Sequence, residues 1–141
     1  MRALLLFVAI STFLLGSCNR ESSRDFDDLV FHSCYDGDTC TFTIRGVHPL
    51  LGEKIGVRLA GIDTPEIKGK CGREKDLARK AKAFLNAMLK KARRIRLLNP
   101  RRGKYFRIVA DIEADGIIVN EKMLREGLAH RYDGGKRKSW C

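Results

Sequence analysis

The stretch Leu29–Ile44, "LVFHSCYDGDTCTFTI", carries the pattern that decides the fold. Two runs rich in β-branched and aromatic residues, Leu29–Tyr35 and Thr39–Ile44, flank the pair Asp36-Gly37. An Asp-Gly pair between two such runs predicts a tight β-hairpin. In the second run the even-numbered positions from 40 to 44 are apolar and the odd-numbered positions are threonines. We therefore predict two antiparallel strands, with the even positions of the second strand facing the core.

Further strands and two helices are predicted downstream of this hairpin. The patterns indicate a third strand at 54–62, a long helix at 73–92, two more strands at 93–99 and 105–113, and a shorter helix at 117–129 that Gly127 ends. The long helix has one apolar stripe formed by Leu77, Ala81, Phe84, Leu85, Met88 and Ala92. Five short strands with an inserted helix fit a small closed barrel of the oligonucleotide-binding (OB) type. The predicted fold class is α+β, mainly β: a five-stranded OB-type barrel with one long and one shorter helix.

The N-terminus has the pattern of an export signal. One early arginine precedes an apolar run from Ala3 to Leu15, which is short for a membrane span and suits a signal peptide. The run closes on Leu-Gly-Ser-Cys at 15–18, which resembles the bacterial lipobox with Cys18 as the lipidated residue. We expect a signal peptide at 1–18, a polar tether at 19–28 and one domain at 29–141. The protein would then be an exported, membrane-anchored lipoprotein of a bacterial cell envelope, or a secreted protein if Cys18 carries no lipid.

Charge and cysteines add two expectations. The 141 residues include 28 basic and 17 acidic side chains, a net charge of +11, which favours polyanionic partners such as nucleic acid or an anionic membrane surface.

Outside the cytoplasm thiols tend to pair. If Cys18 carries lipid, four cysteines remain, and three pairings are open to them. Cys34 and Cys40 flank the tight turn and can reach one another, which would leave Cys71 for Cys141.

Three carboxylates and two arginines occupy positions at which a charged side chain needs a partner of opposite charge. Asp38 falls on the core-directed face of the second strand, and an unpaired buried carboxylate is unfavourable. Asp63 and Glu66 lie on a turn that a proline restricts. Arg58 and Arg107 interrupt predicted strands that are otherwise apolar, and buried charges are usually paired. The pattern fits two structural salt bridges. It also fits one site with oxygen ligands for a divalent cation, a spare glutamate and two arginines for a phosphate.

Four motifs together resemble one known family. They are "DGDT" at 36–39, "VRLAGIDTPE" at 57–66, "KYFR" at 104–107 and "VNEKMLREGLA" at 119–129. In this order and with this spacing they resemble the staphylococcal nuclease, or thermonuclease, family over residues 29–132. The resemblance implies an OB-type barrel and calcium-dependent hydrolysis of DNA and RNA. It also implies that Asp38 and Asp63 bind Ca²⁺ through their carboxylates, that Thr64 binds it through its backbone carbonyl, and that Glu66 is the general base.

The remaining implied roles concern the substrate. Arg58 and Arg107 would bind the phosphate and stabilise the charge that develops on it, and Lys104 and Tyr105 match positions that contact the nucleotide. Phe106 departs from the family pattern, since a glycine is common there. The third helix of the best-known member is also missing, so the bridge to Cys141 would compensate for lost core. The alternative function is a non-catalytic OB module that binds single-stranded nucleic acid. We expect a monomer.

Overall fold

A computed structural model of the chain describes residues 25–141. The predicted signal peptide with Cys18, and residues 19–24 of the predicted tether, lie outside the described residues. The strands are β1 (Leu29–Cys34), β2 (Thr39–Ile44), β3 (Ile55–Leu59), β4 (Ile62–Asp63), β5 (Ile95–Arg102), β6 (Ile108–Ala114), β7 (Ile117–Ile118) and β8 (His130–Arg131). The helices are α1 (Pro49–Gly52), α2 (Gly72–Lys91) and α3 (Val119–Arg125). Among residues 25–141, no helix has the length and apolar character needed to cross a membrane.

The five longer strands form one curled sheet in the order β1-β2-β3-β6-β5. The β3–β6 pair is parallel and its neighbours are antiparallel. Phe26, just before β1, pairs with Leu97 of β5 through backbone bonds of 3.0 and 2.8 Å, which joins the two edges of the sheet. The predicted OB-type barrel is confirmed. Its closure uses residues that the sequence had assigned to the tether: Asp25 also bonds Arg96 and Asn99 of β5.

The core follows the predicted alternation of β2. Cys40, Phe42 and Ile44 are buried, and the threonines between them are half-buried. The buried stripe of α2 is shifted by one position from the predicted one: Ala78, Ala81, Leu85 and Leu89 are buried, whereas Leu77, Phe84 and Met88 are only partly covered. Alanines at the centre of this stripe let the helix approach the β1–β2 hairpin closely.

Two predicted strands differ from the structure. The strand predicted at 54–62 is interrupted at Gly61, whose φ of +70° turns the chain into the short strand β4. Tyr105 and Phe106 have φ values of 56° and 55°, so residues 105–107 form a turn and β6 begins only at Ile108. The placement of Arg107 inside a strand was therefore wrong.

Two smaller differences concern helices. The predicted loop after β2 contains the single-turn helix α1, which starts at Pro49, a residue suited to a first helical position. The shorter helix predicted at 117–129 spans only Val119–Arg125, and Gly127, at a φ of +67°, stops its continuation.

Two disulfides join the four cysteines of the domain. Cys34 and Cys40 are bridged across the hairpin, and Cys71 is bridged to Cys141. Of the three pairings open to the sequence, this is the one that the hairpin geometry favoured. The second bridge ties the last residue of the chain to the residue before α2.

Candidate active site

The β1–β2 turn places Asp38 beside the loop that follows β4. The Asp36 carboxylate accepts the backbone N–H groups of Asp38 and Thr39, at 3.0 and 2.8 Å, so it fixes the turn. Gly37 lies so close to the neighbouring elements that a Cβ there would stand 2.8 Å from the Cβ of Ala81 and 3.0 Å from that of Thr64. The turn therefore packs directly against both α2 and the Asp63–Glu66 loop, which brings the two acidic segments together.

Asp38 is a buried carboxylate paired with an arginine. Only 3% of it is exposed, and its Oδ1 lies 2.6 Å from Nη1 of Arg58 and 2.9 Å from the Thr39 hydroxyl that donates to it. Burial raises the pKa of Asp38 to about 6, and the neighbouring charge of Asp36 adds to this, although Arg58 and Thr39 oppose it. Arg58 also donates to the backbone carbonyl of Ile62 at 3.4 Å, so it links β3 to β4.

Asp63 and Thr64 are buried at the end of β4. Asp63 pairs in register with His130 of β8, and this short ladder fixes its backbone. Its Oδ1 lies 2.8 Å from Nε of Arg137, but the contact lacks hydrogen-bond geometry, so this buried oxygen has no well-directed donor among the described residues. Burial raises the pKa of Asp63, and the charges of Arg137 and Arg58 oppose that rise.

Glu66 differs from the two aspartates because half of its side chain is exposed. Glu74, a buried residue in the first turn of α2, hydrogen-bonds the backbone of the loop that carries Glu66. The Glu74 carboxylate accepts the backbone N–H groups of Glu66 and Lys70, at 3.3 and 2.7 Å. Gly69 is required for this arrangement, since a Cβ there would lie 2.5 Å from the Glu74 side chain. The loop thus presents Glu66 to solvent while Asp63 and Thr64 stay buried.

A large groove of about 1190 Å³ lies beside these residues, and the predicted metal ligands Asp38, Asp63 and Thr64 are buried next to it without lining it. The predicted residues that line it are Arg58, Glu66, Lys104, Tyr105 and Arg107, and residues not predicted for the site that line it include Arg101, Arg102, Arg131 and Arg137. The groove is therefore strongly basic, and it carries an aromatic side chain, Tyr105, that is 86% exposed.

Arg107 lines the groove and is not one of the buried charged residues. Its Nε donates to the backbone carbonyl of Lys104 at 3.4 Å, and its guanidinium lies 5.5 Å from the centre of the Tyr105 ring. None of the ion pairs within residues 25–141 involves Arg107. Its guanidinium is thus available to an anion in the groove.

Besides the groove arginines Arg101, Arg102 and Arg131, two residues that contact the acidic loop were not predicted from the sequence. Glu74 falls within the predicted long helix, and a buried glutamate in a first turn gives no signal in a single sequence. Arg137 stands among Lys136 and Lys138 in a tail rich in glycine and lysine. The sequence spacing does not distinguish Arg137 from those lysines. Its contacts with Asp63 and Glu66 in the folded tail do.

An OB-type barrel with a strongly basic groove has the charge distribution typical of domains that bind polyanions. The sequence model of the staphylococcal nuclease homologue family matches residues 56–139, more than half of the chain. The chain belongs to this family. The probable staphylococcal-like nuclease CAN1 of Oryza sativa subsp. japonica is 35% identical over 83 residues, which are 59% of this chain and 23% of that protein. The match thus spans about a quarter of the length of that relative, and Asp38 lies before the segment that the family model covers.

Proposed function

We propose that the protein is a calcium-dependent nuclease that hydrolyses phosphodiester bonds of DNA and RNA. Membership of the staphylococcal nuclease family supports the nuclease class. The calcium-dependent mechanism is supported by one observation: Glu66, Arg58 and Arg107 line a single groove, and the buried Asp38 and Asp63 lie directly behind it, in contact with arginines that line it. The alternative of two separate structural salt bridges fits less well, because Arg107 forms no ion pair within residues 25–141 and lines the groove instead.

Oxygen atoms buried beside the groove fit a hard divalent cation. Asp38, Asp63 and the backbone carbonyl of Thr64 would hold it, because carboxylate and carbonyl oxygens are the donors that Ca²⁺ takes. Burial has raised the pKa of both aspartates, as expected where carboxylates are gathered without enough compensating charge. When bound, the cation supplies positive charge that offsets the two acids and the substrate phosphate.

The chain's own residues account for the remaining chemistry. Glu66 is exposed and accepts the proton of the attacking water, whose oxygen forms a new bond to phosphorus. The bond from phosphorus to the sugar oxygen breaks, and that oxygen takes a proton from solvent. Arg58 and Arg107 bind the non-bridging phosphate oxygens, where negative charge increases in the transition state. Lys104 and Tyr105 contact the adjacent nucleotide.

Glu66→Gln tests the proposal most directly. We expect the wild-type protein to cut plasmid DNA and RNA with Ca²⁺ and to stop when a chelator is added. Glu66→Gln keeps the shape of the side chain and removes its basicity, so cleavage should slow by about 10²- to 10⁴-fold while nucleic acid still binds. Glu53→Gln, an exposed glutamate outside the groove, is the matched control and should cut normally.

Two outcomes would count against the proposal. Cleavage by Glu66→Gln at the wild-type rate would show that Glu66 is not the base. Binding without cleavage under every divalent cation would favour the non-catalytic OB module instead.

We further propose that the protein is exported and works as a monomer, and that Cys18 anchors it to a membrane through lipid. The two disulfides support export, because such bonds persist in oxidising compartments. Intact-mass measurement of protein from a bacterial membrane fraction would reveal the lipid, and a plain thiol at Cys18 would refute the anchor.

A further inference from the structure

The C-terminal tail is held against the groove at three places. It leaves the barrel through β8, which pairs with β4, and the Tyr132 N–H donates to the Gly61 carbonyl at 2.9 Å. Near its end, the indole of Trp140 stacks on the imidazole of His130, with ring centres 3.8 Å apart and planes 3° from parallel. The last residue is bridged to Cys71. Both ends of the segment 132–141 are therefore attached.

Arg137 is the tail residue that this arrangement brings into the site. Its Nε lies 2.8 Å from Oδ1 of Asp63, and its Nη1 lies 2.5 Å from Oε1 of Glu66. Its guanidinium also stands 6.0 Å from the centre of the Tyr132 ring, and its side chain lines the groove. One guanidinium thus bridges the buried Asp63 at the end of β4 and the exposed Glu66 of the groove.

We propose that Arg137 is a positioning residue for Glu66 and a third arginine for the phosphate, and that the Cys71–Cys141 disulfide delivers it. The proposal rests on the nuclease function proposed above. A half-exposed glutamate samples several rotamers, and a bridge to a fixed point such as Asp63 selects one of them. The guanidinium has five N–H donors, so those not used on the acids remain free for phosphate oxygens.

The charges around the groove support the same role for Arg137. Without Arg137, the carboxylate of Glu66 would face a phosphate bound in the groove, and like charges repel. The guanidinium offsets this charge and adds to the positive charge of Arg58 and Arg107. An arginine side chain stays protonated in proteins, so Arg137 is a permanent cation.

The experiment compares Arg137→Ala with Lys136→Ala. Both variants remove one positive charge from adjacent positions of the tail, but Lys136 is exposed and makes no contact with Asp63 or Glu66. We measure binding of a fluorescein-labelled single-stranded oligonucleotide in chelator, and kcat and KM with Ca²⁺. Loss of one positioned donor typically lowers rates by about 10²-fold, so Arg137→Ala should lower kcat by about 10- to 100-fold and weaken binding about 10-fold.

The control and a conservative variant sharpen the result. Lys136→Ala should change binding by less than about 3-fold and leave kcat unaltered, as for a solvated charge. Arg137→Lys should restore binding but not kcat, because lysine supplies charge without the fork that bridges two acids. In the Glu66→Gln background, Arg137→Ala should lower kcat little further, since a positioning residue acts through its partner. Equal effects of Arg137→Ala and Lys136→Ala on both binding and kcat would overturn the proposal.

The role of the disulfide is tested by Cys141→Ser. This variant should lower kcat as much as Arg137→Ala does, and combining the two should add nothing. Trp140 is the one tryptophan of the sequence, so its fluorescence reports release of the tail from His130, and circular dichroism reports whether the barrel is retained. Full activity in a folded Cys141→Ser protein would refute delivery by the disulfide. If the wild type never cuts, the nuclease function fails, but oligonucleotide binding still tests Arg137.

Discussion

The most informative single change is Asp38→Asn in the metal-free protein. Asp38 is nearly completely buried, and burial raises its pKa from 3.8 to about 6. Because the pKa in the folded state lies above that in the unfolded state, the folded protein binds this proton more tightly. The corresponding stability is fully present below about pH 3.8 and is lost as the pH rises through about 6.

The magnitude follows from the size of that shift. Each unit of pKa corresponds to about 1.4 kcal/mol, so the ionised carboxylate costs about 3 kcal/mol at neutral pH relative to the protonated one. Asparagine does not titrate. The free energy of unfolding of the wild type, measured relative to Asp38→Asn, should therefore fall by about 2–3 kcal/mol between about pH 4 and about pH 7.

Urea unfolding in metal-free buffers, followed by circular dichroism with both disulfides intact, measures this difference. Subtracting the variant removes most of the contribution of other titrating groups. A difference that stays constant with pH would refute the reasoning. A difference that changes in the opposite direction would show that the ion pair with Arg58 outweighs burial. Added Ca²⁺ should stabilise the wild type more than Asp38→Asn at neutral pH, since only a ligand-competent site gains by mass action.

Two further substitutions test the packing that supports the site. Gly37→Ala should destabilise the protein by about 1–3 kcal/mol, because the new Cβ would stand 2.8 Å from Ala81, whereas Gly72→Ala, with nothing within 4 Å, should be neutral in the same urea titration. Glu74→Ala should cost about 2–3 kcal/mol and lower kcat, because it leaves two backbone N–H groups of the Glu66 loop without their acceptor; unchanged kcat in the folded variant would refute the supporting role of Glu74.

Much of the barrel could be predicted from the sequence because its strands have one buried and one open face. The alternation in β2 was sufficient to place Asp38 on the core side, and the structure buries it there. The same reasoning failed at Arg107, because Tyr105 and Phe106 adopt left-handed conformations that bulky residues rarely choose. The φ of 55° at Phe106 is a conformation that glycine adopts without strain.

The features that sequence could not provide depend on distant contacts. The buried role of Glu74 is set by two backbone groups several residues before it, and local periodicity does not contain that information. Arg137 reaches the acids only because the tail turns back at Gly134 and is bridged to Cys71. The positions of the tail residues depend on the Cys71–Cys141 pairing, which the sequence alone left among three possibilities.

The disulfide between Cys71 and Cys141 also closes one covalent loop within the chain. This loop contains every residue from α2 to Cys141, whereas Asp38, Arg58, Asp63 and Glu66 precede it. The most exposed aromatic of the groove, Tyr105, sits within that loop. A protease that cuts the exposed turn beside it would open the loop without releasing a fragment, so the two pieces would stay joined, with one water added, until the disulfide is reduced.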